Sequence, residues 1–427
     1  MRMSETVPGP RVGPARPMPR LGDSWSDLAV RSGLLVARLS RSLGLGDGSN
    51  VGGRVSLALH PGALGRLAQG RRVVLVSGTN GKTTTSHLLA EALGTLGEVA
   101  HNASGSNMAE GVAAALATAR DADRAVMEVD ELHLARVARQ SHPVLIVLLN
   151  LTRDQLDRAA EVRRTAAAVG RALAELPHTT VLANVDDPMT VWAAGHAAGP
   201  VVWVAADTGW RADSMTCPRC GRPLAERRSA WRCSCGLARP EPDWRLAGSV
   251  AIGQDSATPL TLNLPGPVNR ANALMALAAA RHEGVEPVRA AAAMGRVEQV
   301  AGRYATFDVG PHRLRLLLAK NPAGWAATLG MLRPGRPLVV AVNAREADGR
   351  DTSWLWDVDF GALAGRPVVA SGERAADIGV RLSYADLPHR TEADPLAAVA
   401  GLPAGEVDVV ANYTAFFTLR RRLAARA

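Results

Sequence analysis

Apolar residues along the chain fall into short blocks of two kinds, and their alternation sets the expected fold. Continuous runs such as RVVLVS at Arg72–Ser77 and RAVMEV at Arg124–Val129 read as strands buried on both faces. Similar runs lie at residues 144–150 and Thr180–Asn184. Between them stand stretches with helical apolar spacing, SHLLAEALGTLG after residue 85 and the Ala-rich 164–174. Alternating strands and helices predict a parallel sheet with helices on both faces. Ahead of it, residues 25–45 carry helical apolar spacing with Arg between, which predicts a short amphipathic helix. Residues 1–22 are rich in Pro, Gly and Arg and read as a disordered tail.

Residues 211–240 interrupt this rhythm. Sheet-like segments resume over 249–264, and 269–283 is a strong helix. A second, smaller α/β unit is expected from residue 302, with strands at 313–318, 337–343, 366–371 and 407–411. The expected organisation is therefore a tail (1–22), a first domain (23–301) with an insertion at about 211–240, and a second domain (302–427).

Composition changes this picture in three ways. With 427 residues and 47% hydrophobic content, the chain can bury a full core. No apolar run approaches the roughly 20 residues that span a bilayer, and the first residues lack a signal peptide's apolar stretch, so a cytoplasmic protein is expected. The net charge of +9 invites a nucleic-acid partner, but aromatics are only 4% and no basic stripe interleaves with them; no nucleic acid is expected. The lysine census is sharper. Lys82 and Lys320 are the only lysines in the chain, and where drift has favoured Arg, a retained Lys marks a site that needs a compact ammonium.

GTNGKTTT, residues 78–85, joins a predicted strand to a predicted helix in the pattern of a phosphate loop. Gly78 and Gly81 let backbone N–H groups wrap phosphates at a helix N-terminus, with Thr79, Asn80 and Thr84 in the same turn. Lys82 can reach the β- and γ-phosphates of ATP, and the Thr83 hydroxyl can ligate Mg2+. Glu128 and Asp130 close the strand AVMEVDE on one side, with Glu131 on the other by period-2 alternation. A carboxylate ending a buried strand is costly without a cation, which makes Glu128 the expected second Mg2+ ligand.

Cys217, Cys220, Cys233 and Cys235 form C-x2-C and C-x-C knuckles about a dozen residues apart, the spacing of a closed tetrahedral Zn2+ site. A pair of redox disulfides is the alternative, disfavoured in a reducing compartment. The stretch 343–360 concentrates Asp348, Asp351, Asp357 and Asp359 with Trp354 and Trp356 just after a strand. Loops at strand C-termini are where α/β domains place function. Sequence chemistry alone does not choose the acting carboxylate, and a capped loop whose tryptophans pack on the core fits equally.

Together, GTNGKTTT, the acidic strand end and PGPVNRANA at 265–273 resemble the Mur ligases, which use ATP to convert a carboxylate to an acyl phosphate that an amine then attacks. NLTRDQLDR (150–158), NVDDP (184–188), the four cysteines, LAKNPAGW (318–325) and ADGRDTSWLWDVDF (347–360) resemble the MurT branch in particular, and run over nearly the whole chain after the tail. The resemblance implies a Mur-ligase-type ATPase domain with an inserted zinc ribbon, then a MurT-type C-terminal domain. It implies a GatD-type glutaminase partner that supplies ammonia, and amidation of the D-glutamate α-carboxyl of the lipid II stem to D-isoglutamine at the inner membrane face. Under it, Asn269 and Asn272 match adenine-contacting asparagines and Arg303 a nucleotide-side arginine. Asp351, the second Asp of DGRD, matches a residue that completes the partner's Cys–His pair, where a carboxylate would orient the His tautomer. The chain departs from the amino-acid-adding ligases at Gln155, Leu317 and Lys320, whose cation would face a phosphate or the substrate carboxylate. His133 reads as a surface residue.

Two rival functions remain at this level. One is a stand-alone Mur ligase or folylpolyglutamate synthetase adding an amino acid without a partner, which the short segment before the phosphate loop argues against. The other is a zinc-ribbon nucleic-acid-binding protein with ATP as a switch, which would bind DNA or RNA with steep salt dependence.

Overall fold

The computed structural model describes residues 24–43, 49–103, 106–153, 162–206, 215–227, 230–300 and 303–425. The expected tail, Gln155, residues 211–214 of the insertion and the boundary at 301/302 lie outside the described residues.

The first sheet collects β1 (Arg72–Ser77), β2 (Val99–His101), β3 (Arg124–Val129), β4 (Leu145–Leu148), β5 (Thr180–Asn184) and β6 (Val201–Ala205). A short hairpin of β7 (Ala225–Arg227) and β8 (Ala230–Arg232) stands apart, and β9 (Trp244–Ala247), β10 (Val250–Ile252) and β11 (Ala257–Pro259) return to the sheet. The order is β11-β10-β9-β6-β5-β4-β1-β3-β2, parallel except for the antiparallel pairings of β10 with β9 and β11.

Strand alternation sorts the core. Val73 and Leu75 of β1, Ala125 and Met127 of β3 and Ile146 and Leu148 of β4 join one apolar layer, with the helices Ala63–Ala68, Ala109–Thr118 and Val162–Ala174. Val74, Val76, Val126, Leu145 and Val147 join the opposite layer, against the helices Lys82–Gly94 and Pro267–His282. Both faces are covered, so the sheet's strands are apolar on both sides, as their sequences require. The Ala-rich helix Pro267–His282 buries every residue from Ala271 to Ala280, because small side chains let it lie close to its neighbours.

The second sheet holds β12 (Tyr304–Val309), β13 (His312–Leu318), β14 (Leu338–Ala341), β15 (Val368–Ser371), β16 (His389–Thr391) and β17 (Gly405–Ala411), in the order β12-β13-β17-β14-β15-β16. Only β12 runs antiparallel. The loops after β13, β14 and β17 therefore leave from one edge, where open α/β sheets place their sites.

Before β1 the chain forms the helices Ser24–Ser42, Ser49–Leu59 and Ala63–Ala68. Only the first was expected, because Gly52 and Gly53 break the pattern of the second; both are buried against neighbouring backbone. No helix among the described residues is long and apolar enough to cross a membrane.

Candidate active site

The turn after β1 is shaped by its glycines. Gly78 and Gly81 have φ of 135° and 86°, a region that L side chains rarely enter. A Cβ at Gly78 would lie 2.8 Å from the Asn150 carbonyl oxygen, and one at Gly81 would lie 2.5 Å from Asn272 Oδ1. The loop after β4 lashes this turn in place: the Asn80 N–H donates to Asn150 Oδ1 at 2.9 Å, and Asn150 Nδ2 returns a bond to the Asn80 carbonyl at 2.9 Å. Asn80 Nδ2 donates to Thr152 Oγ1 at 3.1 Å, and the Thr152 N–H to Thr79 Oγ1 at 3.0 Å. The NVDDP segment braces the same loop from behind. Asp187 caps the helix Pro188–Ala194 and accepts from the Leu151 N–H at 2.6 Å, and burial pushes its carboxyl up to about 6.

Helix Lys82–Gly94 starts at this turn, with Lys82, Thr83 and Thr84 buried. Lys82 Nζ donates to the Gly78 carbonyl at 2.5 Å and lies 3.2 Å from Glu131 Oε2. Thr79 Oγ1 donates to Glu131 Oε1 at 3.1 Å. Glu131 thus faces the phosphate loop, on the side that alternation alone denied it. The reason is that β3 ends at Val129: Asp130 Oδ1 accepts from the Leu132 N–H at 3.0 Å, and the chain turns out of the strand.

Glu128 lies next to the last residue of β3. It is buried beside Val76 in register, on the face that carries helix Lys82–Gly94. Its backbone is fixed by Asn102, whose Oδ1 accepts from the Glu128 N–H and whose Nδ2 donates to its carbonyl, both at 2.8 Å. Its Oε2 has no hydrogen-bond partner among the described residues. A buried carboxylate oxygen left without a donor fits a cation ligand beside Thr83.

Residues from three further segments converge here. Asn272 touches Gly81, and its Nδ2 lies 3.5 Å from Asn269 Oδ1. Arg303, at the start of the second sheet's unit, reaches across with Nη2 3.4 Å from Thr83 Oγ1. Gly324, in the helix Pro322–Leu329 after β13, faces Asn80, so Lys320 sits on a loop that opens towards the phosphate turn. Sequence reasoning did not find His101, at the end of β2. It packs against His87 with ring centroids 5.8 Å apart and hydrogen-bonds Ser86 Oγ at 3.1 Å; burial, helped by His87, pushes it down to about 4.

The four aspartates after β14 have separate duties. Asp348 is buried and accepts from the Thr414 N–H at 2.8 Å and from the Thr414 hydroxyl, pinning its loop to the end of β17. Asn343 and Asn412 exchange bonds of 3.0 and 2.7 Å in the same seam. Asp359 caps the turn Phe360–Leu363. Asp357 pairs with Arg153 at 3.2 Å. Asp351 is exposed and, among the described residues, bonds only Ser353, whose N–H donates at 2.8 Å and holds the carboxyl below its usual range. Trp354 is buried against Trp325, whereas Trp356 is 55% exposed beside Tyr384 and Arg381.

The cysteine hairpin brings four sulfurs together. Cys217–Cys235 and Cys220–Cys233 sulfurs are 3.6 and 3.4 Å apart, and all four lie within 4.8 Å of one another. A tetrahedron with Zn–S of about 2.3 Å has S–S edges of about 3.8 Å, so the cluster can close around one metal ion. These distances are far beyond the roughly 2 Å of a disulfide.

The sequence matches the Mur ligase middle domain over residues 76–280 and the MurT ligase C-terminal domain over 318–416. The MurT subunit of lipid II isoglutaminyl synthase (glutamine-hydrolyzing) from Streptococcus pneumoniae is 31% identical over 94% of this chain and 98% of its own. Its Staphylococcus aureus (strain N315) counterpart is 28% identical over 92% and 97%. Among solved structures, MurF from Acinetobacter baumannii superposes with a TM-score of 0.66 at 16% identity, covering 87% of this chain and 80% of that one. A pseudomurein peptide ligase type C from Methanothermus fervidus gives 0.64 at 18% identity, covering 84% and 79%. At such identities the structural likeness speaks for the fold alone.

Proposed function

The chain belongs to the MurT family of Mur-ligase-type proteins, and on that premise we propose that it is the ATP-consuming subunit of a glutamine-dependent lipid II isoglutaminyl synthase. In this reading residues 23–301 form the ATP-binding domain, with the ribbon at about 211–240 inserted, and 302–427 the MurT-type domain. Gly78, Thr79, Asn80, Gly81 and Thr84 surround the phosphates of ATP, Lys82 reaches the β- and γ-phosphates, Asn269 and Asn272 lie towards adenine, and Arg303 meets the nucleotide from the second domain. A bound Mg2+ would supply positive charge against the negative charge that builds on the phosphates during transfer. Thr83 and Glu128 would hold it, and the orphaned Glu128 oxygen supports that assignment.

An oxygen of the D-glutamate α-carboxylate attacks the γ-phosphorus and ADP leaves, giving an acyl phosphate. Ammonia attacks its carbonyl carbon; phosphate departs with the proton that ammonia loses, and the D-isoglutamine amide remains. Lys320, on the loop beside Asn80, lies towards the phosphate or the substrate carboxylate. Water must be kept from the acyl phosphate, which suits a site placed where Arg303 and Gly324 of the second unit meet the phosphate turn.

The observation that carries the glutamine-dependent reading is the match, along nearly the whole chain, to a MurT subunit of a glutamine-hydrolyzing lipid II isoglutaminyl synthase. Asp348 and Asp357 bond distant parts of this chain, through Thr414 and Arg153, while Asp351 and Asp359 are exposed with local bonds to Ser353 and Gly361; of these two, Asp351 in DGRD is the one the resemblance would lend to a GatD-type glutaminase. The sulfur geometry supports Zn2+ in the ribbon, and a lipid-linked substrate puts the reaction at the inner face of the plasma membrane. Co-purification with a glutaminase, followed by mass spectrometry of the lipid II stem, tests the whole reading. Conversion of acid to amide with glutamine, lost in Lys82→Ala, is expected. Addition of an amino acid without any glutaminase would instead favour a stand-alone ligase.

A further inference from the structure

The helix Ser24–Ser42 turns its small side chains inward. Ser26, Ala29, Gly33, Ala37 and Ser40 are buried. Gly33 is so close to helix Ser49–Leu59 that a Cβ there would lie 2.4 Å from the Gly52 carbonyl oxygen. Five large apolar side chains point to solvent: Trp25, Leu28, Leu35 and Leu39, and Leu43 just beyond the helix, are 61%, 52%, 59%, 52% and 69% exposed, while Val30 is buried and Leu34 packs partly against the core. Their spacing puts them on one stripe. Leu59 and Val51 of the next helix are exposed too, and Trp25 Nε1 donates to the Leu59 carbonyl at 3.3 Å, so the patch joins both helices. A contiguous apolar stripe of this kind gains nothing from contact with water, unlike single exposed residues such as Leu132 and Val288.

Charge identifies what covers it. Arg31 and Arg38, exposed and seven residues apart, run along one flank of the stripe and make no ion pair among the described residues. Asp27 is the only acidic residue of the helix. Residues 1–43 carry seven arginines (2, 11, 16, 20, 31, 38 and 41) against three acidic residues (5, 23 and 27), so a basic segment leads directly into the helix. An apolar stripe beside an Arg stripe is the design of a helix that lies in a membrane interface, and the basic flank selects anionic headgroups. We propose that this helix face docks the protein flat on an anionic lipid bilayer, with the leucine stripe in the headgroup–acyl boundary and Arg31 and Arg38 on lipid phosphates. The docking needs neither nucleotide nor substrate, so it stands or falls apart from the ligase reading.

The test is co-sedimentation of the full chain with vesicles of phosphatidylethanolamine and phosphatidylglycerol, and with vesicles of phosphatidylcholine alone. Binding to the anionic vesicles is expected, weakening as salt rises. Leu35→Ser/Leu39→Ser should lower partitioning at least about tenfold, since two apolar side chains no longer enter the interface. Arg31→Glu/Arg38→Glu should lower it at least about tenfold on anionic vesicles alone. All four positions are exposed, and unchanged circular dichroism and melting temperature would verify that the variants fold. Failure to bind anionic vesicles, or equal binding by the wild type and both variants, overturns the proposal. So does a stable dimer that Leu35→Ser/Leu39→Ser splits into monomers, or loss of a co-purifying partner subunit in that variant, because the stripe would then belong to a protein interface.

Discussion

Lys82 and Glu131 form a nearly buried ion pair across the phosphate turn, 3.2 Å from ammonium to carboxylate. Glu131 also accepts from Thr79, so one carboxylate holds two residues that would cradle phosphates. ATP must compete with this carboxylate for Lys82, and the carboxylate's charge repels the triphosphate. Glu131→Gln should therefore tighten binding of a non-hydrolysable ATP analogue with Mg2+, by about three- to tenfold, since screening in a half-open site keeps such effects modest. Isothermal titration calorimetry checks it. A variant that bound the nucleotide more weakly would instead make Glu131 a support of the metal site.

The division between Asp351 and Asp348 predicts two opposite phenotypes. Asp351→Asn should leave the melting temperature unchanged, abolish amidation driven by glutamine and spare amidation driven by ammonium salts. Equal loss of both activities would remove the role in the partner's triad. Asp348→Asn should destabilise the second domain by roughly 2 kcal/mol, because the amide can no longer accept from both Thr414 groups and the Arg345 N–H. Its two activities should fall together, read in the same paired assay.

The parallel sheet, the phosphate turn and the cysteine cluster were legible because each imposes a local constraint on sequence. β1 and β3 need unbroken apolar runs, the turn needs Gly78 and Gly81 at positive φ, and a tetrahedral site needs four sulfurs at knuckle spacing. Glu131 was misplaced because strand periodicity was extended two residues beyond the strand's end, where a turn sets direction instead. The roles of the four aspartates could not be read, since Asp348 is chosen by Thr414, 66 residues away. Short strands such as β2 and β16 also escaped notice; three residues are too few for a period, and only their neighbours β3 and β15 define them. Trp356 resembled Trp354 in the sequence, yet one is exposed and the other packs on Trp325.

The cysteine ribbon should carry one zinc ion per chain by elemental analysis. Cys217 and Cys233 are buried with Trp231 in a small apolar cluster that includes Val185 and Val191, and the Trp231 indole donates to the Val185 carbonyl at 3.0 Å. Metal loss would loosen this cluster behind Asp187, the residue that braces the loop after β4. Cys220→Ser should abolish stoichiometric zinc and lower the melting temperature. Chelation of the wild type should produce the same drop, and zinc should restore the wild type only. Retention of zinc by the variant would show that the four sulfurs do not form one site.

His101 should make stability depend on pH below neutrality. Its folded value is about 4 against 6.5 for an exposed histidine, because at the end of β2 it is desolvated against helix Lys82–Gly94 and faces His87. Between these values the unfolded chain binds the extra proton and the folded chain does not, so stability rises with pH through this window. The contribution is complete above about pH 6.5 and is lost as pH falls towards 4, a change on the order of 3 kcal/mol. Carboxylates titrate in part of the same range, so the measurement is the difference between wild type and His101→Asn in urea unfolding at a series of pH values. Asn cannot take up the proton, and the variant's stability should fall less steeply on acidification. Because His101 bonds Ser86, on the helix that begins at Lys82, acid should also weaken nucleotide binding in the wild type before it does in the variant. Identical pH profiles for the two proteins would mean that the imidazole becomes protonated without disturbing the helix.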